Sequence, residues 1–228
     1  MHFDRLEKAA KSVADLRKYD LAALDLIDRR LLSLARDYDP RYRKILPPEA
    51  EAVLLVEVDG DSLGEVRDQL KKITHQMCRR KRVAFDSTIA LNSDDIELYE
   101  QLALRVLSTL YRLMGSQRPL PFVEDIAVPP QKLAEFLVTS QNVLKRHQTT
   151  ASLFAHAGHG QLHLRPFLDL ANPDDVKKMQ RIATDLYEEV VNIGGTISGE
   201  HGNGLSRSWY VRRPVSYTHL TLPTNREV

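Results

Sequence analysis

The chain has 228 residues, of which 32 are lysine or arginine and 31 are aspartate or glutamate, giving a net charge of +1. This balance argues against a nucleic-acid partner, because a nucleic-acid-binding domain normally carries a basic surplus. The single cysteine, Cys78, excludes an internal disulfide and a thiolate metal cluster and suits a reducing compartment. No apolar run approaches the roughly 20 residues that a membrane helix needs. We therefore expect a cytoplasmic protein without a membrane span.

The first part of the chain predicts helices and strands that alternate. Apolar spacing and turn residues give helices over residues 4–17, 28–38 and 62–77 and strands over residues 21–26, 52–58 and 82–90. The segment over residues 52–58 is short and rich in valine and leucine, which makes it the clearest strand. Residues 52–90 therefore predict a β-α-β unit.

The second part repeats this order. Helices are predicted over residues 96–114, 130–146 and 173–192 and strands over residues 124–128 and 151–156. Asn172 is followed by Pro173 and two aspartates, which is a strong signal for a helix start. Two β-α-β units with short strands predict an α+β fold of the ferredoxin-like kind, with a mainly antiparallel sheet and helices on one side.

The end of the sequence differs from the rest. Residues 215–224 have neither a helical period nor the alternation of a strand, and charge is absent until Arg226. The string resembles the translated end of a transposon adapter used in sequencing libraries. We therefore predict one domain over residues 1–214 and a non-native tail over residues 215–228, with an ordinary disordered tail as the alternative.

Two glycine-rich segments contain four of the eight histidines. The first runs His156-Ala-Gly-His-Gly-Gln-Leu-His163, and the second runs Ser198-Gly-Glu-His-Gly-Asn-Gly204. Each of the glycines at 158 and 160 would cost about 1 kcal/mol in a helix. The first segment therefore predicts a strand, a turn and a second strand, which would bring His156 and His163 close together.

The residue types of these segments predict a site. Two imidazoles and the Glu200 carboxylate would leave open positions on zinc or a similar divalent ion. His201, next to Glu200 on an irregular backbone, would point in another direction and could act as a general base. The alternative is that the histidines only form hydrogen bonds within tight turns.

The two segments resemble the paired signatures of the FAD-linked oxidase C-terminal domain family, which includes D-lactate, D-2-hydroxyglutarate and glycolate dehydrogenases. The second signature, Ser-Gly-Glu-His-Gly-x-Gly, matches in full, and the run over residues 122–129 is similar to the strand that precedes the signatures. In the first signature His159 replaces the usual aspartate and Gln161 replaces the usual asparagine. The Arg-Pro-Phe-Leu-Asp run from Arg165 is most similar to large members that are fused to an iron–sulfur region.

The resemblance implies a division of roles. FAD would be bound mainly by an N-terminal domain absent from this sequence, since no glycine-rich strand-to-helix loop occurs here. The expected cofactor contacts are Gly158, Gly160, Gln161 and Asn203. The expected substrate is a small 2-hydroxy acid, with electrons leaving to an acceptor that could place the enzyme at a membrane surface. Arg105 would bind the substrate by resemblance, and Arg165, two residues after His163 on a strand, could pair with its carboxylate. The alternatives are an exposed helix arginine and a solvated strand arginine.

The resemblance therefore implies the substrate-binding and catalytic-base domain of a flavin-dependent D-2-hydroxy-acid dehydrogenase, inactive alone. Other partners would be the flavin domain and an iron–sulfur domain of the same chain. The residues by themselves leave two alternatives open. A metal-dependent hydrolase could use the same ligands to activate water. A non-catalytic α+β docking module could use the glycines only to shape turns.

Overall fold

A computed structural model describes residues 1–210 of the chain. The predicted non-native tail, residues 215–228, lies outside this range. None of the helices in residues 1–210 is long and apolar enough to cross a membrane.

The centre of the fold is a seven-stranded sheet in which every pairing is antiparallel. The strands are β1 His2–Phe3, β2 Ala23–Asp28, β3 Ala52–Glu57, β4 Arg118–Pro119, β5 Ile126–Ala127, β6 Ala151–His156 and β7 Gln161–Leu168. Their order across the sheet is β1-β3-β2-β6-β7-β4, and β5 also pairs with β7. The predicted α+β class with a mainly antiparallel sheet is confirmed.

Four of the eight α-helices in residues 1–210 begin at a polar residue whose side chain caps them. The eight helices are α1 Leu6–Leu16, α2 Arg29–Tyr38, α3 Tyr42–Ile45, α4 Leu63–Thr74, α5 Ser93–Thr109, α6 Leu133–Arg146, α7 Pro173–Asn192 and α8 Gly204–Arg207. The side chain of Asn172 accepts a hydrogen bond from the amide of Asp174, and that of Asn92 accepts one from Asp95. The predicted start of α7 is thereby confirmed.

Helices cover both faces of the sheet, whereas the sequence predicted helices on one side. Leu24 and Leu26 of β2 pack in one apolar cluster with α1, α6 and α7, and Ile27 packs on the opposite face with α2 and α5. The physical reason is that the central strands carry apolar side chains at successive positions, so both faces must be buried. The order of helices and strands along the sequence therefore does not indicate which face of the sheet each helix covers.

The predicted strand over residues 82–90 is wrong. The preceding helix continues as a π-helical segment, His75–Arg80, and Arg82 then adopts a positive φ of 52°. Only an isolated bridge between His2 and Asp86 connects this stretch to the sheet. Apolar residues such as Val83 and Ala84 contribute to the core without strand pairing. The very short strands β1 and β4 carry no periodic signal and were not predicted.

Candidate active site at the end of the β6–β7 hairpin

The β6–β7 hairpin places two histidines on one face of the sheet. Phe154 lies opposite His163 and His156 lies opposite Gln161 in the antiparallel register. Residues two apart on a strand point to the same face, so His156 and His163 share the face of Phe154. Their ring centroids are 5.4 Å apart. The predicted strand, turn and strand, and the closeness of the two imidazoles, are confirmed.

The glycines of this turn contact the protein itself. A Cβ on Gly160, whose φ is +78°, would lie 2.0 Å from the carbonyl oxygen of Val128, and one on Gly158 would meet the Leu24 side chain at 3.4 Å. The positive φ and the close carbonyl explain Gly160 through the fit of the turn, whereas a Cβ on Gly158 would make an ordinary van der Waals contact. The cofactor contacts expected at Gly158 and Gly160 stay a prediction.

The second motif is an irregular loop that is held by one buried carboxylate. Asp125 is fully buried and has a φ of +63°. Its side chain accepts hydrogen bonds from the backbone amides of Glu200, at 2.7 Å, and His201, at 3.0 Å. Its own carbonyl oxygen accepts a hydrogen bond from the amide of Gly199. Asp125 therefore determines where the Glu200 and His201 backbone lies.

The charge of Asp125 is stabilised within the protein. Burial by itself would raise the pKa of this carboxyl, but the amides of Glu200 and His201 and the nearby Arg207 guanidinium outweigh burial and lower it. Arg207, which is also buried, lies 3.5 Å from the Asp125 carboxylate and donates to the carbonyl oxygens of Glu124 and Gly202. The Asp125 carboxylate is therefore charged, and its hydrogen bonds and its ion pair hold the loop together.

Three predicted site residues, all histidines, converge on a fourth, Glu200. One oxygen, Oε1, lies 3.3 Å from Nε2 of His201, 3.4 Å from Nε2 of His163 and 3.8 Å from Nε2 of His156. Ligand atoms of His156, His163 and Glu200 all lie within 4.8 Å of one another. Two imidazole nitrogens and a carboxylate oxygen are the donors that zinc and similar divalent ions accept. The donor set therefore fits a divalent cation.

The two hairpin histidines have different surroundings. Asp25 of β2 bonds Nδ1 of His156 at 2.9 Å, and this bond is the main reason that the pKa of His156 is raised. His163 is almost fully buried, and burial, assisted by the neighbouring His156, lowers its pKa. A neutral imidazole is the form that binds metals. The Asp25–His156 pair also matches the outer carboxylate that commonly orients a ligating histidine.

His201 belongs to a second chain of contacts. Its Nδ1 lies 3.0 Å from Oε1 of Glu124, whose Oε2 lies 2.7 Å from the Arg165 guanidinium. Arg165 also donates to the hydroxyl of Tyr111. Both ends of the Arg165 guanidinium therefore have partners within the protein. Its Nε is buried without a hydrogen-bond partner among residues 1–210, and substrate binding by Arg165 stays a prediction.

The remaining predicted residues lie elsewhere or serve the fold. Arg105 of α5 lines a separate cavity of about 130 Å³ beside α2 and α3, with Tyr38 and Asp39, so the structure does not bring it to the histidines. Gln161 is buried and donates its side-chain amide to Asp125 at 3.0 Å, which makes it a support of the loop. Asn203 precedes α8, and its side-chain oxygen is buried without a protein partner.

Sequence reasoning missed the residues that orient the site. They are Asp25, Glu124, Asp125 and Arg207. A carboxylate between apolar neighbours in β2 was a usable signal for Asp25, because an acid on a central strand needs a partner. Glu124 and Asp125 stand together in the run that resembles the family strand, but their partners lie 77 and 76 residues further along the chain. No periodic pattern connects segments so far apart, so the sequence marked these acids without giving them a role.

Two glycines of the second motif have open space around them. Gly202 and Gly204 have φ values of +72° and +54°, and a Cβ on either would meet no atom of residues 1–210 within 4 Å. This part of the loop, unlike the hairpin turn, presents backbone that a flat ring could approach.

The sequence matches a family model and several curated relatives. The family model for FAD linked oxidases, C-terminal domain, matches residues 1–223. D-2-hydroxyglutarate dehydrogenase of Pantoea ananatis is 27% identical over 89% of this chain and 21% of its own length. Glycolate oxidase subunit GlcD of Bacillus subtilis is 30% identical over 92% of the chain and 43% of its own length.

D-lactate dehydrogenase of Anaerostipes hadrus is 25% identical over 96% of the chain and 46% of its own length. The chain thus spans between about a fifth and slightly under half of the length of these relatives. The match of the family model covers nearly the whole chain, including both histidine motifs. The protein therefore belongs to the family of FAD-linked oxidase C-terminal domains.

Proposed function

We propose that this chain is the substrate-binding and catalytic-base domain of a flavin-dependent dehydrogenase that oxidises a D-2-hydroxy acid to a 2-oxo acid. The observation that carries the proposal is the convergence of three imidazoles on one oxygen of Glu200. Three relatives are named for D-2-hydroxyglutarate, glycolate and D-lactate, which are all 2-hydroxy acids or their anions. A hydrolase or a docking module gains no such support.

His156, His163 and Glu200 would hold a divalent cation, with zinc as the first candidate. When bound, such an ion makes a coordinated hydroxyl more acidic. The carboxylate and the hydroxyl of a 2-hydroxy acid can reach one cation together, which would orient the substrate without a dedicated arginine. This route accounts for a site in which Arg165 is already paired with Glu124.

His201 would accept the substrate's hydroxyl proton at Nε2. Its Nδ1 is hydrogen-bonded to Glu124, whereas its Nε2 faces the proposed cation site, 3.3 Å from Oε1 of Glu200, where the substrate hydroxyl would lie. FAD, when bound, supplies the acceptor for the hydride that leaves the same carbon. One proton and one hydride are removed, and the hydroxyl carbon becomes a carbonyl. Gly202, Gly204 and Asn203 are the backbone region that would face the flavin ring.

We further propose that the flavin is held mainly by another domain of a longer protein. A fused iron–sulfur region and a position at a membrane surface stay predictions, because they depend on chain outside the described residues. The specific 2-hydroxy acid has to be identified with the complete flavoenzyme.

The decisive test is His201→Ala in the complete flavoenzyme. We expect flavin reduction by a saturating D-2-hydroxy acid to slow by about 10²–10⁴-fold, since a positioned general base contributes about this factor. Metal content and substrate affinity should change much less. In His163→Ala, by contrast, metal content and substrate affinity should fall together. Stopped-flow absorbance of the flavin measures both variants, and an unchanged reduction rate in His201→Ala would remove His201 from the chemistry.

A further inference from the structure

Glu124 lies in direct contact with the proposed base and has no role in the proposed function so far. It precedes β5 and is only 9% exposed. One carboxylate oxygen faces Nδ1 of His201 at 3.0 Å, and the other faces Arg165 at 2.7 Å. The two partners come from the loop over residues 196–203 and from β7. The Glu124 side chain therefore connects the loop over residues 196–203 to the central sheet.

We infer that Glu124 is a positioning residue that fixes the orientation and the tautomer of His201. A carboxylate offers only acceptors, and a neutral imidazole has one donor nitrogen and one acceptor nitrogen. Both ring nitrogens of His201 face carboxylates: Nδ1 lies 3.0 Å from Glu124, as a hydrogen bond, and Nε2 lies 3.3 Å from Oε1 of Glu200. The shorter contact with Glu124 favours the hydrogen on Nδ1 and the lone pair on Nε2. This inference rests on the proposed function, in which Nε2 accepts the proton of the substrate.

Arg165 and the His163 ring complete the arrangement. The guanidinium neutralises Glu124 from the side opposite His201, and Tyr111 accepts a hydrogen bond from the same guanidinium. The ring of His201 also stacks on that of His163, with centroids 5.1 Å apart and planes 25° apart. The His201 ring is thus fixed in its plane by stacking and in its rotation by Glu124. This gives Arg165 a function in addition to the substrate binding that was expected.

A different use of the same residues can be separated by experiment. Glu124, His163 and His201 also present ligand atoms within 4.8 Å of one another, so a cation could bind there instead. The burial of Glu124 between a guanidinium and an imidazole favours positioning, since a cation would have to replace the Arg165 contact. Metal binding by the Glu124→Gln variant distinguishes the two cases.

The tautomer is measured on the 228-residue chain itself, without flavin or substrate. Long-range ¹⁵N NMR of the metal-free chain, at a pH where the ring is neutral, reports which nitrogen of His201 carries hydrogen. We expect the Nδ1–H form in the wild type and a substantial Nε2–H population in Glu124→Gln, because a glutamine amide can donate to Nδ1. Glu135→Gln, an exposed glutamate on α6, is the matched control and should leave the spectrum unchanged.

A wild-type spectrum with the Nε2–H form would overturn the inference, whether or not the variant folds. An unchanged tautomer in Glu124→Gln would also overturn it, as would loss of Zn²⁺ binding in that variant. In the complete flavoenzyme, Glu124→Gln should lower the flavin-reduction rate at saturating substrate by about 10²-fold or more while the substrate affinity changes little. The NMR result does not depend on the reaction, so it can fail while the proposed function stands.

Discussion

The hairpin that carries His156 and His163 and the loop that carries Glu200 and His201 are held in place by different interactions. The hairpin lies inside the sheet, and its register alone places both imidazoles on one face. The loop has no ladder of its own over residues 197–203, and the side chain of Asp125 holds the amides of Glu200 and His201. The position of the hairpin therefore depends on many backbone hydrogen bonds, whereas that of the loop depends mainly on one buried acid.

This comparison predicts the largest effect at Asp125. Asp125→Ala removes the acceptor for two loop amides and for the Gln161 amide, and it leaves the Arg207 guanidinium with its carbonyl partners but without the carboxylate. We expect the free energy of unfolding to fall by about 3–5 kcal/mol, the range for removing one side of a buried charge pair. Urea unfolding measures this loss. Asp125→Asn, which keeps one oxygen acceptor, should lose less, and a loss below about 1 kcal/mol in Asp125→Ala would show that the loop has another anchor.

The next effect separates the two groups of glycines. In Gly160→Ala the new methyl would meet the Val128 carbonyl oxygen at 2.0 Å on a backbone with φ of +78°. We expect a loss of about 2–5 kcal/mol, from about 1–2 for the left-handed conformation and 1–3 for overpacking. Gly202→Ala has a similar φ of +72° but open space, and should cost only about 1–2 kcal/mol. Equal losses in thermal or urea unfolding would contradict the close fit of the hairpin turn.

These two comparisons show what the sequence could and could not predict. The β6–β7 hairpin was predictable because the two turn glycines, Gly158 and Gly160, lie between His156 and His163 in neighbouring sequence. The support of the loop was not, because Asp125 and its partners are separated by 75 and 76 residues and no periodic pattern joins them. The prediction of helices on one side of the sheet failed for a related reason. Strands that are apolar on both faces do not indicate which helix covers which face.

The smallest effect is the pH dependence of the Asp25–His156 pair in metal-free protein. Asp25 raises the pKa of His156 above its ordinary value of 6.5. The resulting stability is fully present below the pKa of unfolded histidine and is lost as the pH rises through the higher folded pKa. Because His156 is partly exposed, Asp25→Asn should cost less than about 1 kcal/mol at pH 6 and still less at pH 8.5.

Chemical unfolding in the presence of a chelator at both pH values checks this difference. Asp61→Asn, at an exposed carboxylate, is the control and should show no such pH dependence. A larger loss at pH 8.5 than at pH 6 would mean that Asp25 acts on the fold by another route.

The central claim is that the hairpin and the loop form one cation site together, and calorimetric titration of the metal-free chain with Zn²⁺ tests it most directly. We predict one Zn²⁺ per chain, with affinity reduced more than about 100-fold in both His163→Ala and Glu200→Ala, because each removes a ligand rather than an outer partner. His159→Ala, which removes an exposed histidine from the same turn, should bind as the wild type does. Absence of binding in the wild type, or equal binding in Glu200→Ala, would contradict the account.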